Sequence, residues 1–401
     1  LREGAGIDKS DEESPAVLKL IELILRNSII SRASDIHIEA MEKNCVVRER
    51  VDGMLQQSFI FDKDIFRPLA SRVKLLANLD IAEKRKPQDG RITTMVGDRE
   101  FDFRVSTLPT LIGESIVLRI LDKSKVLVKL EDAGMSEFCY NRFTQAIKVP
   151  YGIVLVTGPT GSGKSTTLAA MISKISKTRP CHIVTIEDPI EFLFSDDKAT
   201  ISQREVGTDT PTFQEALRNC MRQDPDVIMV GEMRDLDTIS TAITAAETGH
   251  LVFSTLHTND AAGAITRLVE LGVEDYLLSS ALIGIMAQRL VRVLCPECKE
   301  PFVPEVELQN KLGLPFTVTE EKPIYRPVGC KHCNSTGYRG RVAIFELMPV
   351  SEKIHGLILT SKASFEIKNL AISEGMSLLR EDGWRNVESG VTSLAEVLRV
   401  T

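Results

Sequence analysis

Positive charge is not in surplus in this sequence of 401 residues: 49 lysines and arginines face 56 aspartates and glutamates, a net charge of −7. No general attraction to nucleic acid or anionic lipid is therefore expected. The sequence also lacks a stripe of interleaved basic and aromatic residues, the pattern that tracks single-stranded nucleic acid. No apolar run approaches the roughly 18 residues of a membrane span. Internal repeats and low-complexity tracts are missing. The chain opens Leu1-Arg2-Glu3-Gly4, without methionine or a signal-peptide pattern, so residues 1–11 are expected to be the leader of a truncated chain. What remains is the composition of an ordinary globular protein, 43% apolar and 26% charged, long enough for two or three domains.

One stretch organises the rest. Gly158-Pro159-Thr160-Gly161-Ser162-Gly163-Lys164-Ser165 follows the apolar run Gly152–Thr157 and precedes Thr166–Ile172, which has helical character. A glycine-rich loop between strand and helix lets successive N–H groups converge on phosphate oxygens, and the helix start adds partial positive charge. In that pattern Lys164 reaches the β- and γ-phosphates, Ser165 holds Mg²⁺, and Thr166 completes the nucleotide-binding set. The spacing predicts a nucleotide-binding protein.

Three further apolar runs end in polar residues. His182–Ile186 leads into Glu187, Asp188 and Glu191, which can hold Mg²⁺ through its waters or simply end a strand in solvent. Asp226–Gly231 leads into Glu232, placed to polarise an attacking water. Leu251–Thr255 delivers His257 towards the same edge, where it can sense the γ-phosphate or relay that signal to a neighbouring subunit. Taken alone, His257 reads as a core or loop histidine.

Upstream, Ser14-Pro15 opens a helix whose buried stripe is Val17, Leu20, Ile21 and Ile24. Strands are expected at Ser34–Glu39 and Cys45–Val51, a helix at Phe66–Leu79, and a β-rich stretch to Leu121. His37 reads as a surface histidine. This predicts a small α/β domain over residues 12–121 and a linker over 122–132. An ATPase core over 133–290, a cysteine module over 291–340 and a mainly helical region over 341–401 follow. Within the last, Val342–Leu347 is a short apolar run and Trp384 packs the terminal helices. Arg91, Arg104 and Arg119 lie on or beside strands of the first domain, where spacing alone assigns them to a solvated face.

Of eight cysteines, Cys45, Cys139, Cys181 and Cys220 are scattered and read as plain thiols. The others form two C-x-x-C knuckles, Cys295/Cys298 and Cys330/Cys333. Such knuckles can close a tetrahedral Zn²⁺ site with four thiolates; a pair of redox disulfides is the alternative. The long spacer, residues 299–329, implies an inserted loop or helix. Zinc there would fold the module rather than catalyse.

Four ordered motifs carry a family resemblance: Gly158–Ser165 (Walker A), Thr185–Glu191 (Asp box), Gly231–Asp235 (Walker B), and Thr248–Leu251 with Leu256–Asp260 (His box). Together with Ala33–Glu39 and Pro87–Arg91, these resemble the secretion-superfamily ATPases that power type II secretion and type IV pilus assembly, over nearly the whole chain. The resemblance implies an α/β fold with a RecA-like P-loop ATPase core behind a small α/β (PAS-like) domain. It further implies a tetracysteine zinc module and a C-terminal helical region. By the same resemblance the protein is a homohexamer that uses ATP, Mg²⁺ and Zn²⁺, and the N-terminal domain covers the nucleotide. Arg104 and Arg119 then become phosphate-contacting arginines, with Arg91 a weaker third.

The implied partners are an inner-membrane platform protein and the cytoplasmic part of a membrane assembly protein. The implied location is cytoplasmic, peripheral at the inner membrane. The tetracysteine module favours the assembly branch, whereas Gln203–Gly207 and Gly231–Asp235 resemble the retraction branch. A nucleic-acid motor and a non-hydrolysing nucleotide-binding scaffold are the competing classes.

Overall fold

The computed structural model describes residues 15–122, 128–360 and 362–401. The expected leader 1–11, the Ser14 cap and residues 123–127 of the expected linker lie outside them. The chain divides into two units, Leu1–Val126 and Leu127–Thr401.

In the first unit, α1 (Pro15–Ile30) buries Val17, Ile21, Ile24 and Leu25, spaced three and four apart as one helix face requires. The chain continues through β1 (Ala33–Ala40), β2 (Asn44–Val51), β3 (Met54–Asp62), α2 (Phe66–Leu76), β4 (Gln88–Val96), β5 (Arg99–Thr110) and β6 (Gly113–Asp122). The strands form one antiparallel sheet in the order β3-β2-β1-β6-β5-β4. Phe101, Phe103 and Val105 of β5 point to the core under the helices, so the alternation of a strand sends Arg104 to the other, exposed face. Register places Arg91, Arg104, Arg119, Asp35 and Arg50 opposite one another on five successive strands.

The second unit begins with α3 (Glu137–Ala146), then runs β7 (Gly152–Thr157), α4 (Lys164–Thr178), β8 (His182–Glu187), β9 (Thr200–Glu205), α5 (Phe213–Cys220), β10 (Val227–Val230), α6 (Leu236–Glu247) and β11 (Leu251–Leu256). It continues through α7 (Ala261–Glu270), α8 (Asp275–Ala281), β12 (Leu282–Leu294), β13 (Glu300–Phe302), α9 (Val306–Leu312), β14 (Ile324–Arg326) and β15 (Tyr338–Pro349). Four helices follow: α10 (Glu352–Leu359), α11 (Ser364–Ser373), α12 (Leu379–Glu388) and α13 (Leu394–Val400). The main sheet has the order β15-β12-β7-β11-β10-β8-β9 and is parallel except for β15.

All six residues of β7 are buried, as expected of a parallel strand covered on both faces. Ile153 and Leu155 pack towards α5–α8, Val154 and Val156 towards α3 and α4. Trp384 is buried in the first of these cores.

The β12–β15 pairing was not expected. The run Val342–Leu347 is the middle of β15, which joins the ATPase sheet through the 13-residue strand β12. A run buried on both faces has no alternation to mark it as a strand. The cysteine knuckles thus sit between two paired strands of the sheet, and α9 lies in the spacer between them.

Candidate active site

The loop Gly158–Gly163 joins β7 to α4, and two of its glycines, Gly158 and Gly163, are required by space. Gly163 sits at φ +88°, and a Cβ on it would stand 2.8 Å from Gln288 Nε2. A Cβ on Gly158 would stand 2.5 Å from the Gln288 carbonyl oxygen. Lys164 is buried and donates from Nζ to the carbonyls of Gly158 (2.8 Å) and Pro159 (3.2 Å). Burial brings its pKa down to about 8; Arg289 adds to the fall, while Glu232 and Glu191 oppose it. Ser162 Oγ is buried without a hydrogen-bond partner among the described residues, a donor and acceptor waiting inside the loop. This arrangement fits a phosphate group.

The carboxyl ends of the neighbouring strands converge on Lys164. After β10, Gly231 N donates to Ile186 O (2.8 Å) and Thr255 Oγ1 donates to Gly231 O (2.8 Å), which pins Glu232 between β8 and β11. Glu232 forms an ion pair with Arg234, and His257 Nε2 lies 3.6 Å from Glu232 Oε2, a contact that is an ion pair only when the imidazole is protonated. Burial, then the charge of Lys164, lowers the pKa of His257 from its ordinary value, against the pull of Glu232.

Glu187 ends β8 almost fully buried. It accepts hydrogen bonds from Thr185 Oγ1 (2.7 Å) and Gln203 Nε2 (3.3 Å), and burial raises its pKa. Asp188 and Glu191 are exposed just beyond it, and Ser165 and Thr166 begin α4 beside Lys164. Ser165 and this set of carboxylates are oxygen donors of the type Mg²⁺ takes.

Arg91, Arg104 and Arg119 belong to the other unit. Arg119 Nε donates to Asp35 Oδ1 at 2.9 Å, and Arg91 is ion-paired with buried Asp102.

Several neighbours escaped the sequence reading. Gln288 and Arg289 reach the loop from β12. Arg289 donates to the carbonyls of Gln288 (3.0 Å) and Asn259 (2.7 Å), and Asp260, which caps α7, pairs with Lys368 of α11 at 2.9 Å. The available signal was Gln288-Arg289 interrupting an otherwise apolar run.

The four knuckle sulfurs lie within 4.8 Å of one another, with Cys295–Cys330 at 3.9 Å and both Cys298–Cys333 and Cys330–Cys333 at 3.8 Å. A tetrahedron with bonds of about 2.3 Å has edges of about 3.8 Å, so the set fits a zinc ion. Amides of Cys330 and Gly337 both point at Cys333 Sγ from 3.2 Å. Burial opposes ionisation of Cys333, but these amides and the neighbouring thiols outweigh it and bring the pKa to about 6.

A parallel sheet with a phosphate-binding loop, a strand-end glutamate and a histidine at its carboxyl edge defines a P-loop ATPase. The family model described as "Type II/IV secretion system protein" matches residues 10–399, and the chain belongs to that family. It is 48% identical over 396 residues to the type II secretion system ATPase E of Vibrio cholerae, covering 98% of this chain and 76% of that protein. It is 44% identical over 401 residues to the type IV pilus assembly ATPase PilB of Thermus thermophilus, covering 98% of this chain and 45% of that one. Among solved structures, the pilus retraction motor PilT with bound ADP matches with a TM-score of 0.64 at 31% identity, over 95% of this chain and 96% of that one. The protein is an ATPase. Among the described residues no helix is long and apolar enough to cross a membrane.

Proposed function

We propose that this ATPase is the motor of a type II secretion or type IV pilus assembly machine, working as a homohexamer. It acts in the cytoplasm, peripheral to the inner membrane, through a platform protein and the cytoplasmic part of a membrane assembly protein. Gly158–Thr166 hold the triphosphate. Ser165 ligates Mg²⁺, with Glu187, Asp188 and Glu191 holding its waters. Glu232 polarises the attacking water, and His257 couples the γ-phosphate to the strand-end glutamate. Arg104 and Arg119, with Arg91, neutralise phosphate charge in the transition state. Cys295, Cys298, Cys330 and Cys333 hold Zn²⁺, which closes their module on the β12–β15 edge.

The observation that carries the reading is the meeting of Glu232 and His257 at 3.6 Å, at the sheet edge where Lys164 already feels the glutamate's charge. The cysteine quartet and the 44–48% identity to a type II secretion system ATPase and a type IV pilus assembly ATPase favour the assembly reading. The alternative, a pilus retraction ATPase, is supported by the 31% identity to a retraction motor. Lys164→Ala in the organism that encodes the chain separates them. Loss of an assembly motor leaves cells without pili or secreted substrate, whereas loss of a retraction motor leaves surface pili in excess.

A further inference from the structure

Gln288 is a buried amide in an apolar strand, 2% exposed, and it touches the phosphate-binding loop at both ends. Its Nε2 donates to the Ser162 carbonyl at 2.8 Å, and its Oε1 accepts from Thr167 Oγ1, in the first turn of α4, at 2.8 Å. Its own carbonyl fills the space beside Gly158. Register pairs Ala287 with Thr157, so Gln288 stands where β7 gives way to the loop.

We propose that Gln288 is a positioning residue for phosphate recognition, resting on the ATPase reading above. A trans peptide holds its C=O and N–H on opposite sides. Tying the Ser162 carbonyl to β12 therefore turns the Gly163 N–H away from β12 and fixes its direction before the nucleotide arrives. The bond to Thr167 fixes the first turn of α4 in the same frame. Released from Gln288, this peptide must be ordered at the moment of binding, which lowers affinity. Loop amides of this kind cradle the α- and β-phosphates, so ADP and ATP are affected alike.

The test measures ADP and ATP affinity of the full chain with Mg²⁺, together with the thermal midpoint. Gln288→Leu removes both hydrogen bonds and is expected to weaken both nucleotides by about tenfold with their ratio unchanged. Gln288→Glu separates positioning from space-filling. At about pH 8 its carboxylate faces the Ser162 carbonyl oxygen and ADP affinity falls further. Towards about pH 5.5 the buried carboxyl protonates, donates again, and the deficit against wild type at the same pH shrinks. Lys164 and Arg289 are the charged neighbours. A carboxylate at 288 raises the Lys164 pKa, so at about pH 8 Lys164 is more fully charged in the variant and favours binding there. A larger deficit at about pH 8 than at about pH 5.5 therefore cannot come from the lysine.

A folded Gln288→Leu protein that binds ADP within about twofold of wild type overturns the proposal. So does a Gln288→Glu deficit that ignores pH. Should Gln288→Leu fail to fold, Thr167→Val removes only the hydroxyl bonded to Oε1. Weakening of ADP by about threefold supports the proposal, and wild-type affinity contradicts it.

Discussion

Arg104 and Arg119 stand directly opposite each other on β5 and β6, and the next residue along the same row, Asp35, takes a hydrogen bond from Arg119 at 2.9 Å. Like charges in direct cross-strand register cost roughly 0.2–1 kcal/mol. Asp35 offsets that cost for Arg119. The phosphate-contacting role proposed for Arg104 would account for keeping a residue that the sheet does not need. Arg104→Ala is therefore expected to leave the thermal midpoint unchanged or slightly raised while turnover drops by about 10³-fold. Calorimetry beside steady-state hydrolysis checks both, and an unaltered turnover contradicts the assignment.

The depressed pKa of Lys164 gives nucleotide binding a pH dependence. Below about 8 the free protein carries the ammonium; above it the group is neutral, because burial disfavours the charge. Phosphate favours the charged form, so affinity is highest below pH 8 and falls as pH rises through it, and binding above pH 8 takes up a proton. Titration calorimetry in buffers of different ionisation enthalpy measures that uptake. In Glu232→Gln the charge that raises the Lys164 pKa is gone, so the inflection moves to lower pH.

The strand core, the phosphate loop and the strand-end acids were legible because each is a local pattern: an apolar run followed by glycine or a carboxylate. The Gly152–Thr157 strand and the acidic ends at Glu187 and Glu232 needed no tertiary information. Gln288 and Arg289 did. They lie more than a hundred residues from the loop in sequence, and only the pairing of β12 with β7 brings them beneath it. The β15 strand was hidden for a related reason: its apolar run, buried on both faces, is indistinguishable by periodicity from a buried helix turn.

Zinc removal tests the cysteine quartet. The purified protein is expected to carry one equivalent of zinc per chain by elemental analysis. Chelation should open the knuckle segment to protease, since binding energy in such modules is folding energy. The same loss is expected for Cys333→Ser, whose sulfur receives two backbone amides. A metal-free protein whose spacer resists protease as well as the native one would refute the site.

Glu396, itself buried, anchors the last helix to β12 through Arg292 (2.8 Å) and pairs with Arg399 of its own helix (2.6 Å). Burial alone would raise its pKa, but the two guanidinium partners hold it down, from an ordinary 4.5 to about 2. A depressed carboxylate stabilises the fold fully above 4.5, and this contribution is lost as pH falls from 4.5 towards 2. The contribution is on the order of 3 kcal/mol. Urea unfolding should show a large deficit for Glu396→Gln at neutral pH that narrows through that window.

The most direct test of the central claim compares ATP binding and ATP hydrolysis in wild type and Glu232→Gln. The predicted result is Mg²⁺-dependent ATP binding in both proteins, with hydrolysis in the variant lowered by about 10²–10⁴-fold. Equal hydrolysis rates in the two proteins would contradict it.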